Sequence, residues 1–157
     1  MLRIRIIVVG RTRAGFLREG EAFYLKRLRN YVAVEWEEVK PVRIIKGRDE
    51  GEILNGEGGV ISRNIGPKEY LVALDRTGDP PDSEGLAHWL EHLARHAPGG
   101  VCFVIGGPLG LSKNILERAE KVLSLSRLTL THEMSRLVLL EQLYRAMTIL
   151  KGEKYHK

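Results

Sequence analysis

Val101-Cys-Phe-Val-Ile105-Gly-Gly-Pro-Leu-Gly110-Leu-Ser112 is an unbroken apolar run that stops at a glycine-rich turn and then reaches a serine placed to cap a helix. Five consecutive apolar residues describe a strand covered on both faces, the kind found inside parallel sheets. The same order recurs outward. Residues 2–9 read as a buried first strand, followed by a helix over Phe16–Tyr31 in which Phe23, Leu25, Leu28 and Tyr31 share the inward side. Val32, Val34 and Trp36 alternate with polar or small residues as in a half-buried strand. Tyr70–Leu74 is a further strand, Gly78-Asp79-Pro80-Pro81 a loop, and helices start after Ser83 and Ser112. Residues 47–66 read as a weak helix, because glycines at 51, 56, 58 and 59 oppose the signal of Ile53, Leu54 and Ile61. Strands alternating with helices predict an α/β fold, a mostly parallel sheet flanked by helices, in a single domain over residues 1–157.

Composition agrees with a packed core: 43% hydrophobic and 29% charged residues exclude a disordered chain. The single cysteine, Cys102, lies within the apolar strand and reads as a buried, inert thiol. Residues 1–10 are interrupted by Arg3 and Arg5 and do not read as a signal peptide, so a cytoplasmic setting is expected, with no membrane partner. Twenty-five Lys and Arg against 20 Asp and Glu give a net charge of +5, which favours polyanionic partners.

Three features could carry chemistry. His88-Trp-Leu-Glu91-His92 has the spacing of a zinc-protease motif, but an inward stripe of Leu86, Trp89, Leu90 and Leu93 turns its ligands to solvent, so no metal is expected. The Gly106–Gly110 turn follows a strand, where open α/β sheets bind ligands, and it lacks both the phosphate-loop and dinucleotide glycine patterns. The last third of the chain ends in a helix over Met134–Leu150 whose apolar residues fall nearly all around the wheel. Covering it calls for the sheet and a second subunit, and Glu141 and Arg145 are spaced for an ion pair.

Leu74-Asp75, Ile105–Ser112, the segment Leu125-Ser-Arg-Leu-Thr-Leu-Thr-His132, Glu141-Gln-Leu-Tyr-Arg-Ala146 and the terminal Tyr155-His-Lys157 together resemble the large-subunit ribosomal RNA pseudouridine-N3 methyltransferases of the SPOUT class. The resemblance spans the chain and is densest from Leu71 onward. It implies a homodimer with a C-terminal trefoil knot, an exception to the rule that chains do not thread their own loops. It also implies methyl transfer from S-adenosylmethionine to N3 of a pseudouridine in a stem-loop of large-subunit ribosomal RNA, within the large subunit or the assembled ribosome. Its cofactor loops correspond to Leu74, to Gly106, Gly107 and Gly110, and to Leu125, Ser126, Arg127, Leu128, Thr129 and Leu130. Tyr155 and His156 correspond to catalytic positions, and His132, Arg136 and Lys157 to substrate contacts. Leu109 and Thr131 depart from relatives that carry Glu and Pro there. Removal of the N3 proton could fall to His156, Tyr155 or His132. The competing reading is a non-catalytic RNA- or ribosome-binding module of the same fold, separable by its lack of cofactor affinity.

Overall fold

The computed structural model describes residues 1–157. Five parallel strands, β1 (Arg3–Val9), β2 (Ala33–Val39), β3 (Tyr70–Asp79), β4 (Val101–Ile105) and β5 (Lys121–Leu123), lie in the order β2-β1-β4-β3-β5. The expected parallel α/β sheet is therefore present. Side chains alternate across it: Ile4, Ile6, Val8, Phe103 and Ile105 enter one core, and Ile7, Val9, Cys102 and Val104 enter the other. The helices α1 (Gly15–Leu28), α3 (Ser83–His96) and α5 (His132–Leu150) cover the first face, while α2 (Glu50–Asn64) and α4 (Lys113–Arg118) cover the second. Burial pushes the Cys102 thiol up to about 12, consistent with an inert core residue.

Several local expectations are corrected. The inward face of α1 is Leu17, Glu21, Leu25 and Leu28; Phe23 is 47% exposed and lies under the Arg27 guanidinium, 3.4 Å from its ring centroid. The helix stops at Leu28, short of Tyr31. α2 forms fully despite its glycines, because Ile53 and Ile61 are buried and Gly58 is apposed to the Ser112 hydroxyl, an approach that a side chain would block. β3 runs past Leu74 through an irregularity and returns to β5 at Asp79, so Gly78-Asp79 is strand rather than loop. The short strand β5 was not foreseen.

α5 starts two residues earlier than its periodicity indicates, with the Thr131 hydroxyl accepting from Met134 N at 3.1 Å. It lies between α1 and α3, so Leu139, Leu140, Leu143, Ala146 and Met147 are buried by the chain's own elements. Leu137, Val138, Ile149 and Leu150 remain partly exposed. His88, Glu91, His92 and His96 face solvent, Glu91 pairing with Arg95 at 3.0 Å and His92 stacking on His96. No helix is long and apolar enough to cross a membrane.

Candidate active site

The carboxyl ends of β3, β4 and β5 open onto a cavity of about 300 Å³. Three loops wall it, each because of what its residues allow. After Ile105 the chain reverses at once: Gly110 N–H donates to Gly107 O at 3.0 Å, and Gly110 has φ +84°, a conformation suited to glycine. A Cβ at Gly106 would run into the Gly110 carbonyl, so this turn closes only with glycine there. Leu74, Asp75 and Arg76 come from the irregular part of β3, where pairing with β5 is interrupted. Leu125, Ser126, Leu128, Thr129 and Leu130 come from the segment between β5 and α5; Ser124 Oγ donates to Ser126 O and Leu128 N–H to Ser126 Oγ, shaping the loop from within.

Of the residues expected at the cofactor site, only Arg127 does not line this cavity; it is exposed on the outside of the loop. His132 does line it, and Ser135, one turn along α5, lines it too. Sequence reasoning missed Ser135 because it started the helix at Met134; a Thr131 cap with i, i+3 spacing would have placed both residues on one face. Arg76 was also missed. Its guanidinium is 3.4 Å from Thr129 Oγ1, a link between two of the walls. Leu128 is 76% exposed although it sits at the cavity, so an apolar surface there is left for something else to cover.

The first turn of α5 is bound to the end of β1. Arg136, expected to meet substrate phosphate, is instead fully buried: its guanidinium donates to Val9 O at 2.7 Å, Gly10 O at 3.0 Å and Thr12 Oγ1 at 2.9 Å. It cannot reach an RNA backbone. Burial lowers its pKa and leaves its Nε without a partner. The Thr12 hydroxyl donates in turn to Glu21 Oε2 at 2.8 Å, and burial raises the Glu21 carboxyl above its ordinary range. Glu133 accepts from the backbone N–H groups of Arg13 and Ala14, at 2.9 and 3.1 Å, and is pulled below the ordinary range by those bonds. His132 is lowered by burial first and then by the Arg136 charge, so its imidazole is neutral near pH 7 and able to accept a proton.

The C-terminal residues lie elsewhere. Tyr155 donates to Glu141 Oε1 at 3.1 Å, packs edge-on against Tyr144 and lies under the Arg145 guanidinium. Arg145 and Glu141 form the expected i, i+4 pair at 2.6 Å. His156 Nδ1 is 3.4 Å from Arg145 Nη1, its Nε2 is 3.8 Å from Glu84, and Lys157 is exposed. None of the three lines the cavity of its own chain. Burial and neighbouring hydrogen bonds push the Tyr155 phenol well up, so it stays protonated and donates its hydrogen bond to Glu141.

The cavity wall mixes leucine side chains with glycine backbone and with hydroxyl and imidazole groups, a lining that suits a small organic ligand with apolar and polar parts. Comparison with known proteins is consistent with that chemistry. Residues 2–156 match the family model described as "Predicted SPOUT methyltransferase". The chain is 49% identical over 157 residues to ribosomal RNA large subunit methyltransferase H of Rubrobacter xylanophilus, covering 98% of each. It is 43% identical over 159 residues to the protein of the same name from Desulfotalea psychrophila, covering 99% of this chain and 100% of the other. A crystal structure of a probable methyltransferase from Bordetella pertussis Tohama I superposes with TM-score 0.56 at 17% identity, covering 93% and 96% of the two chains, a likeness of fold.

Proposed function

Since the chain belongs to the SPOUT methyltransferase family, we propose that it methylates large-subunit ribosomal RNA, using S-adenosylmethionine held in the strand-end cavity and taking N3 of a pseudouridine as acceptor. The observation that carries this reading is the cavity itself. Three loops meet at the carboxyl ends of β3, β4 and β5, around a turn that only glycine closes, with a neutral imidazole at the rim. When bound, the cofactor supplies an electrophilic methyl group for in-line displacement.

The rest falls to the chain's own residues. Leu74, Leu125, Leu128 and Leu130 exclude water, and Gly106, Gly107 and Gly110 bring backbone groups close to the ligand. His132 takes the N3 proton, being the titratable candidate at the cavity that is neutral at working pH. Tyr155 and His156 serve the site of a second copy, with their tail held in shape by Glu141 and Arg145. The partly exposed Leu137 and Val138 of α5 belong to that homodimer contact. The knot of the class and a cytoplasmic setting beside the ribosome are part of the same reading.

Calorimetric titration with S-adenosylmethionine, followed by transfer of labelled methyl to ribosomes, tests it. Binding and transfer, with the label mapped to pseudouridine N3, are expected. A folded protein that binds ribosomes without binding the cofactor is instead a non-catalytic RNA-binding module.

A further inference from the structure

The turn between β1 and α1 is anchored by its backbone and by the buried Thr12, and its arginine side chains are exposed. Glu133 holds the N–H groups of Arg13 and Ala14, and Arg136 holds the carbonyls of Val9 and Gly10. The turn is thereby fixed beside His132, and Arg13 is near enough for its charge to act on that imidazole. Arg11, Arg13, Phe16 and Arg18 are all exposed, Phe16 by 69%. None of the three arginines takes part in an ion pair. Phe16 stacks on no ring and carries no cation, whereas Phe23, two turns along the same helix, is capped by Arg27.

Exposed like charges that form no ion pair attract a polyanion, and a bare phenyl ring offers a face to an unstacked base. Resting on the RNA-methylation reading above, we propose that Arg11, Arg13, Phe16 and Arg18 form an RNA-binding lip beside the cavity. The arginines meet phosphates of nucleotides flanking the target, and Phe16 stacks an unpaired neighbouring base. Charge selects this occupant over a second copy of the chain. A two-fold contact centred on the lip would set arginines against arginines.

The test uses the full chain, salt-washed bacterial ribosomes and three readouts: retention of ribosomes on filters, methyl transfer, and sedimentation mass. Phe16→Ala is expected to weaken ribosome binding and raise the ribosome KM about tenfold, the size of one base–aromatic stack, with cofactor affinity and mass unchanged. Phe16→Trp is expected to restore both. Arg11→Gln with Arg13→Gln is expected to flatten the dependence of log K on log salt by about one unit per arginine. Phe16→Ala with unaltered ribosome binding overturns the proposal, as does a fall in sedimentation mass, which would make Phe16 a contact between copies. Wild-type protein that binds ribosomes but transfers no methyl refutes the activity and leaves the lip to be judged on binding alone. Wild-type protein that does not bind ribosomes overturns both.

Discussion

The two ends of the sheet are each tied by an arginine, and the two are treated oppositely. At the amino end Arg5 is partly solvated and neutralised twice, by Glu37 at 3.0 Å and Glu69 at 2.6 Å, with Asn64 O as a further acceptor. Its pKa is raised, chiefly by the Glu69 hydrogen bond. At the carboxyl end Arg136 is fully buried and bound to carbonyl and hydroxyl oxygens, with no carboxylate in direct contact and a lowered pKa. The amino end satisfies its charges locally. The carboxyl end buries a charge that Glu21 and Glu133 act on without touching; it fixes the β1–α1 turn and adds to the burial that lowers His132. Unfavourable burial is thus concentrated beside the cavity.

The contrast is most sharply broken by removing the arginines. Arg136→Met strands three acceptors, those of Val9 and Thr12 buried, and is expected to cost about 3 kcal/mol, read by urea denaturation, against about 1 kcal/mol for Arg5→Met, whose carboxylates can turn to water. Equal costs would mean that the two ends are built alike.

Glycines provide a second pair. A Cβ on Gly106 meets the Gly110 carbonyl, and a Cβ on Gly99 meets the Lys68 carbonyl at the opposite end. Each alanine variant is expected to lose about 1–3 kcal/mol of stability by overpacking. Only Gly106→Ala should also weaken S-adenosylmethionine binding, by tenfold or more in calorimetry; an equal loss in Gly99→Ala would move the cofactor site.

Leu128 at the cavity and Leu139 on α5 separate packing from binding. Leu128→Ala removes a side chain 76% exposed in the free chain, so stability should change by less than about 0.5 kcal/mol. Cofactor affinity should fall several-fold as about 1 kcal/mol of ligand-covered surface is lost. Leu139→Ala, at 0% exposure and outside the cavity wall, should instead cost about 2–4 kcal/mol of stability.

Titration gives the smallest effects. His132 is lowered in the folded chain, so just below its ordinary pKa of about 6.5 the unfolded chain binds more protons and stability falls as pH drops through that window. His132→Gln should flatten that fall. Glu21 is raised, so the folded chain binds more protons above its ordinary range and stability is lost as pH rises through that window. Glu21→Gln should therefore stabilise the protein at pH 7, checked by thermal unfolding at several pH values.

Much of this was legible in the residues. The uninterrupted run Val101–Ile105 is a central strand because both faces are covered, and Gly106 and Gly110 mark a turn that other residues cannot close. The loops expected around the cofactor do surround one cavity, with Arg127 the exception. β5 was not legible: three residues, two of them only partly buried, carry too little periodicity to register. Phe23 was placed inside α1 because hydrophobicity favours burial, yet a cation cap at the surface serves it as well.

The sequence alone determined the alternation of strands and helices and the turn at Gly106, since these follow from periodicity and backbone freedom; that Leu74 and the Leu125–Leu130 segment join that turn was implied by the family resemblance. Tertiary structure alone decided that Arg136 is a buried clamp while Phe16 and Arg13 are exposed, and that Tyr155 and His156 pack against side chains of α5 and not in their own chain's cavity. The partners of Arg136 lie 124 to 127 residues away along the chain. Whether a charge can be buried depends on which oxygens folding brings to it, and local pattern holds no record of that.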